Sequence, residues 1–369
     1  MKIVIGSVLK PLTDVRHYYK IALSLAKIPN AKISILARQT ATFPILSGIV
    51  FNSLIPSKYS LIRRFLAPYI FIAKVFIIRP DIIIVCTHEL LIAAVFYKSI
   101  FGCKLVYDIQ ENYALNIVSN KAYSANIIFF LSNYISFKEK LCSKFVDRFW
   151  LAENCYKHEL KFLSDKFDIF ENKSVFKSAI EPVSFKNKLT IKLLFSGTIA
   201  EENGIFEAIS ISKQLHDINP GYSLSIIGCC HNTGLNKKLK EMAKRLSFIS
   251  LNISVEPIDY EIIAKEIMNV DIGLICYHHQ PNFINKIPTK LYEYLSMGLP
   301  ILIQNNKSWT ELCSKYKSAI SLDFKDIQAI EINQIIQSNS FYYLENIDNA
   351  DLLWPSCEEQ LINSIKNIA

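Results

Sequence analysis

No run in the sequence is apolar for long enough to cross a membrane. A spanning helix needs about 20 consecutive, predominantly apolar residues. Residues 65–78 are broken by Lys74, and residues 122–137 carry Ser and Asn throughout. The opening MKIVIGS lacks the basic head, apolar core and small-residue cleavage site of a signal peptide, and reads directly as a first strand. Nine cysteines are scattered with no CxxC pair and no histidine at metal-ligand spacing. Several stand inside apolar runs, where a thiol serves as a small core residue. A cytoplasmic protein of a reducing compartment, without a structural metal, is expected. Helix-turn-helix, RNP and zinc-finger patterns are missing, so nucleic acid is not an expected partner. Solenoid-length repeats and low-complexity segments are missing too.

What remains is a chain of 369 residues, long enough for two domains with a core each. Half of it is hydrophobic and the mean hydropathy is +0.22, which is apolar for a soluble protein. Charge is divided unevenly. Residues 1–180 carry 24 Lys+Arg against 12 Asp+Glu and the rest 17 against 21, so the net charge of +8 originates in the first half. A basic, apolar-rich half suits contact with anionic lipid headgroups. The segment 61–79 concentrates this character: Arg63, Arg64, Lys74 and Arg79 flank Phe65, Tyr69, Phe71 and Phe76. A core helix with snorkelling ends is the alternative.

Apolar strands alternate with helical segments in both halves. In the first, strands near 3–6, 32–36, 81–86, 104–107 and 148–152 enclose helices near 18–26 and 90–100. After Pro182 the segment 185–189 reads as a linker, and the pattern restarts with IKLLFSG, SLSIIG, FISLNIS and DIGLIC. Alternation of this kind implies parallel, doubly wound sheets. The expected fold class is α/β with two Rossmann-like domains facing across a cleft: 1–184, then 185–353, with a closing helix 354–369.

The stretch NKIPTKLYEYLSMGLP (285–300) organises the second half. Leu291, Tyr292, Tyr294, Leu295 and Met297 fit the buried stripe of a short helix opening at Pro288 and closing at Gly298. DIGLIC precedes it and another apolar run follows at 300–303. A helix following a strand in this way begins beside the carboxyl ends of an open α/β sheet. The first-turn amides of Thr289 and Lys290, with the Lys290 ammonium nearby, suit an anion such as a diphosphate. Glu293, one turn on, is placed to accept hydrogen bonds from vicinal hydroxyls such as those of a ribose. A solvated glutamate on an amphipathic helix is the plainer alternative.

PTKLYEYLSMGLPI resembles the donor-binding helix of sugar-nucleotide glycosyltransferases of the GT-B fold, specifically the retaining family four (glycosyl transferases group 1). The resemblance implies that Glu293 holds the nucleotide ribose. It also implies that position 285, where this chain has Asn285 in place of a glutamate, touches the transferred sugar. PLTDVRHYYKIALSLAK (11–27) is similar to the first loop and helix of that family, with Asp14 and Arg16 toward acceptor or diphosphate; an N-cap aspartate with a solvated arginine is the alternative. In RPDIIIVCTHELLIAA (79–94) His88 stands where a strand ends, and the resemblance implies contact with the transferred sugar; a helix-capping histidine is the alternative. LVYDIQENY (105–113) is similar to a Tyr-Asp-x-His-Glu stretch, with Gln110 in place of the histidine and Asp108 and Glu111 assigned to the acceptor side. LLFSGTIAEENGIFEAI (193–209) resembles the strand and glycine turn that open the second domain, where Gly197 lets the backbone approach phosphates. Relatives usually supply an arginine and a lysine at the positions of Thr198 and Asn203. Their loss should cost several kcal/mol of leaving-group stabilisation unless Lys286, Lys290 or Arg16 substitutes, and Lys290 is preferred.

These residues imply a retaining glycosyltransferase that moves a sugar from a nucleotide-diphosphate donor to a hydroxyl of a cell-surface glycan or lipid-linked acceptor. His88 is the expected catalytic residue. Gly197, Thr198, Asn285, Pro288, Thr289, Lys290 and Glu293 are expected around the donor, with Arg16, Asp108 and Glu111 on the acceptor or diphosphate side. No DxD-type pair stands in a matching loop, so no metal is expected, nor any cofactor beyond the donor substrate. The expected location is cytoplasmic, with contact at the inner membrane face. A sugar-nucleotide epimerase of the same fold, or a non-catalytic partner subunit suggested by Thr198, Asn203, Asn285 and Gln110, are the competing readings.

Overall fold

The computed structural model describes residues 1–40, 48–56, 61–119, 124–326, 328–342, 344 and 347–369. The chain divides into two compact units, Met1–Asn172 with Trp354–Ala369, and Lys173–Leu353.

The sheet of the first unit holds seven strands among the described residues: β1 (Lys2–Pro11), β2 (Lys32–Arg38), β3 (Ile49–Ile55), β4 (Ile82–Val85), β5 (Lys104–Ile109), β6 (Arg148–Leu151) and β7 (Phe167–Ile169). All pair in parallel, in the order β3-β2-β1-β4-β5-β6-β7. β4 is buried along its whole length, as expected of a parallel strand covered on both faces. A π-helical segment, Val15–Ala22, runs into α1 (Leu23–Leu25). The other helices are α2 (Leu61–Ile78), α3 (Leu91–Phe101), α4 (Tyr113–Ser119), α5 (Ala125–Ser143) and α6 (Tyr156–Glu159). The apolar run that starts at residue 122 thus begins outside the described residues. No helix among the described residues is long and apolar enough to cross a membrane.

The closing helix Pro355–Lys366 is built into this unit. Trp354 donates from Nε1 to Ser24 Oγ at 2.9 Å, and Trp150 donates to Ser364 Oγ at 2.9 Å. Leu361 and Ile365 are fully buried.

The second unit has six parallel strands, β9 (Ile191–Thr198), β10 (Tyr222–Cys229), β11 (Ile249–Ser254), β12 (Ile272–Ile275), β13 (Ile301–Gln304) and β14 (Ala319–Leu322), in the order β11-β10-β9-β12-β13-β14. Its helices are α7 (Ile205–Ile218), α8 (Thr233–Arg245), α9 (Tyr260–Met268), α10 (Thr289–Ser296), α11 (Lys307–Ser314) and α12 (Ala329–Ser338). A short antiparallel pair joins β8 (Val183–Ser184) to β15 (Ser340–Phe341). The expected division at 184/185 falls inside this unit rather than at its edge. β8 is tied to β15, Phe185 is fully buried in the second core, and the Ser174 amide donates to Leu352 O at 2.9 Å. The chain has therefore already joined the second unit before Pro182.

Candidate functional site

In an open α/β sheet, ligands bind beyond the carboxyl ends of the strands where the strand order reverses. In the second unit that point lies between β9 and β12. β9 ends in Gly197 and Thr198; β12 leads into Cys276 and Tyr277. Gly197 has φ +91°, the left-handed region that a side chain disfavours. Gly204, which opens α7, has φ +80°, and a Cβ there would lie 2.0 Å from Cys276 O. Glycine is what allows the turn after β9 to rest on the end of β12.

α10 starts after Pro288 and ends before Gly298, which has φ +70°. Its stripe Leu291, Tyr294 and Leu295 is fully buried, Tyr292 nearly so, and Met297 half-buried. Two charged residues of the helix also point inward. Lys290 donates from Nζ to Ser196 O at 2.6 Å and lies 4.7 Å from the Phe195 ring centre and 5.0 Å from that of Tyr277. Burial pulls its ammonium down to about 8 against the opposing influence of Cys276 and Glu293. A Cβ on Gly197 would stand 3.8 Å from this Nζ, so the cation borders the glycine turn. Glu293 is 7% exposed. It lies beside Tyr260, whose phenol is raised first by burial and then by the carboxylate. The Tyr294 and Ser196 hydroxyls share a 2.7 Å hydrogen bond that anchors the helix to β9.

The structure thus sets Lys290 against the Gly197 turn, with Glu293 one turn further along the same helix and Pro288 and the half-buried Thr289 at its head. Thr198 is exposed, and its carbonyl accepts from Asn203 Nδ2 at 2.8 Å. Asn203 is buried and fixes the turn instead of reaching outward like the lysine it stands for. Asn285 sits exposed in the turn before α10. Tyr260 and Tyr277 carry no signal in the sequence, because they come from separate elements flanking α10 at no fixed spacing to it.

The corresponding reversal in the first unit lies between β1 and β4. Asp14 caps the π-helical segment, accepting from the amides of Arg16 and His17 at 3.0 and 3.2 Å. Arg16 is buried, not solvated. Its Nε reaches Asp108 Oδ1 and Oδ2 at 3.1 and 3.0 Å, Nη2 reaches Oδ1 at 2.6 Å, and Nη1 donates to Phe170 O and Asn172 Oδ1. A guanidinium engaged at all three nitrogens inside its own unit is a poor diphosphate ligand and instead orients Asp108. Gln110 Nε2 lies 2.7 Å from both Asp108 Oδ2 and His17 Nε2. Burial lowers the His17 imidazole, so its neutral Nε2 accepts from Gln110.

His17, Cys86 and Asp108 bring possible metal-ligand atoms within 4.8 Å of one another, a trio invisible in sequence spacing because three elements contribute it. Arg16 already neutralises Asp108, so the trio reads as a hydrogen-bonded cluster. Glu111 is half-buried and bonded to Asn116 Nδ2.

His88 follows β4, as expected, but is buried. Lys138 Nζ of α5 lies 2.6 Å from its Nδ1, the Tyr113 ring packs edge-on at 4.7 Å, and Glu89 Oε2 is 3.7 Å from Nε2. Burial first, then Lys138 and Arg64, lower His88 to about 4 despite Glu89. The ring is therefore neutral near pH 7, with Nδ1 accepting from Lys138 and the proton on Nε2. Glu89 in turn binds Arg64 of α2. Tyr113 joins the two clusters, since its hydroxyl donates to Cys86 O at 3.0 Å.

No family model matches the chain, and no curated protein does. Solved structures do. WaaG, a glycosyltransferase involved in lipopolysaccharide biosynthesis, is similar at TM-score 0.63 and 11% identity, over 98% of this chain and 95% of its own. HepE of Anabaena, in complex with UDP-glucose, is similar at TM-score 0.60 and 11% identity, over 100% of both chains. UDP-GlcNAc 2-epimerase from Methanocaldococcus jannaschii is similar at TM-score 0.58 and 11% identity, also over 100% of both. These likenesses establish the fold: two Rossmann-like units in the GT-B architecture.

Proposed function

We propose that the chain is a glycosyltransferase taking a sugar from a nucleotide diphosphate. The observation that carries this reading is the buried pair of opposite charges on α10, Lys290 and Glu293, of which Lys290 borders the Gly197 turn at the strand-order reversal. A nucleotide diphosphate would give both a use: the diphosphate against Lys290 and the Gly197 backbone, the ribose hydroxyls on Glu293. Lys290 then supplies the charge that Thr198 and Asn203 do not. The likeness to a glycosyltransferase and to a protein solved with UDP-glucose supports the same donor class.

The first unit is assigned the acceptor, a hydroxyl of a cell-surface glycan or lipid-linked sugar. His88, kept neutral with a proton on Nε2, is suited to hydrogen-bond the transferred sugar without adding charge. Asp108, fixed by Arg16, and Glu111 are the carboxylates assigned to the acceptor. Retention of configuration is what the resemblance of PTKLYEY to family four implies, and metal independence is expected because no DxD-type pair stands in a matching loop.

The likeness to an epimerase over both whole chains favours a second reading, interconversion of nucleotide sugars by acid-base chemistry. Incubation with UDP- and GDP-sugars, followed by chromatography of the nucleotides, separates the two. Release of nucleotide diphosphate, abolished in Glu293→Ala, is expected. An epimeric nucleotide sugar without release would establish the second reading, and neither product would leave a non-catalytic subunit.

A further inference from the structure

The first unit turns an unusual face outward. α5 is amphipathic in the reverse sense: it buries Lys138 and Glu139 while exposing Phe129 (72%), Phe130 (68%) and Phe137 (66%). α2 leaves Leu61, Ile62, Phe65, Tyr69 and Ile77 exposed. α3 packs against both helices and contributes Ile92, Phe96 and Ile100 to the same surface. Scattered exposed apolar residues are normal, but contiguous patches of this extent mark interaction sites. Charge on these helices is of one sign. α2, α3 and α5 carry no Asp or Glu except the buried Glu139, whereas Arg63 and Lys140 are exposed and Lys144, just past α5, is exposed as well.

We propose that the α2–α3–α5 face docks on the surface of an anionic lipid bilayer. Aromatic and aliphatic side chains with interspersed cations and no exposed carboxylate match the acyl–headgroup boundary of such a membrane. A second copy of the chain fits less well, because a two-fold contact sets a patch against itself and these cations would meet only cations. The helices lie on the surface rather than across it: α2 contains Pro68 and three cations, and no described helix meets the requirements of a span. The inner sides of the same helices hold His88, through Lys138 of α5 and through Glu89 bonded to Arg64 of α2. The docked face and the candidate sugar-side residue thus share their supports. The inference does not depend on the transfer reading, since it rests on the surface alone.

Co-sedimentation with large unilamellar vesicles tests it. Full-length protein is expected to bind phosphatidylglycerol/phosphatidylcholine vesicles, to bind pure phosphatidylcholine at least tenfold more weakly, and to be released by salt. Arg63→Glu/Lys140→Glu/Lys144→Glu should weaken binding roughly 100-fold or more, from about 1 kcal/mol for each cation lost near the surface. Phe65→Asp/Phe129→Asp/Phe137→Asp should abolish it, with thermal midpoint and circular dichroism retained because all three sites are exposed. Ile330→Asp, on an exposed site of the second unit, should bind like wild type. No binding to anionic vesicles at low salt, or binding unchanged in both triple variants, would overturn the proposal. So would a concentration-dependent dimer that the aspartate variant dissociates while vesicle binding is absent, which would assign the face to a second copy.

Discussion

Replacing Lys290 by Met is expected to change how the stability of the protein depends on pH. The Lys290 ammonium is held at about 8 against an ordinary value of 10.5, chiefly because burial penalises its charge. In the window from pH 8 to 10.5 the unfolded chain keeps this proton and the native chain has released it. The unfolded state therefore binds more protons there, and stability rises with pH. Each unit of displacement corresponds to about 1.4 kcal/mol, so wild type should gain roughly 2 kcal/mol between pH 7 and 9.5 from this group alone. Lys290→Met removes the titration but keeps an unbranched apolar stem against Phe195 and Tyr277. The difference between the two proteins at the two pH values isolates the effect, because other groups cancel. Urea unfolding followed by fluorescence measures it. Wild type should gain about 2 kcal/mol more than the variant, while the variant loses roughly 10- to 100-fold in affinity for a nucleotide diphosphate, as expected when a charged hydrogen bond is removed. Parallel pH profiles would refute the claim that the charge is held at a cost for use by a ligand.

Further outcomes follow from particular contacts. Gly204→Ala must place a Cβ 2.0 Å from Cys276 O at φ +80°, so a loss of about 3 kcal/mol or more is expected in urea unfolding; a loss below about 1 kcal/mol would contradict the geometry. Arg16→Met strands the Asp108 carboxylate in the core and should cost about 3–5 kcal/mol, much of it recovered in Arg16→Met/Asp108→Asn; additive costs in the double variant would count against the pair acting as a unit. Glu139 is pushed up to about 7 by burial, so native protein holds its proton between pH 4.5 and 7 and loses stability as pH rises through that window. Glu139→Gln, which keeps an acceptor for Tyr107, should therefore become more stable relative to wild type by roughly 2.5 kcal/mol from pH 5 to 8 in the same assay.

Much of this fold is legible because parallel strands covered on both faces read as unbroken apolar runs. DIGLIC, IKLLFSG and the strand before His88 are examples, and α10 announces itself by its stripe, its leading Pro288 and its closing Gly298. β3 escapes such reading because Asn52 and Ser53 interrupt it, and β7 because three residues carry no period. The π-helical start at Val15 leaves no pattern beyond the capping Asp14. The candidate site was legible only where its parts are neighbours in sequence. Lys290 and Glu293 share one turn of helix, and Lys290 borders Gly197. Arg16 and Asp108 are 92 positions apart, and nothing local indicates that they consume one another. Lys138 and Glu139 were hidden for another reason: charged residues on a helix ordinarily face water, and here they turn inward while phenylalanines face out.

Calorimetric titration with UDP, GDP and their sugars, on wild type and Glu293→Ala, tests the central claim most directly. Saturable binding of one nucleotide diphosphate at a single site is expected, weakened at least tenfold in the variant and likewise in Lys290→Met. Absence of binding by wild type, or an affinity indifferent to both substitutions, would contradict the assignment of α10 to the donor.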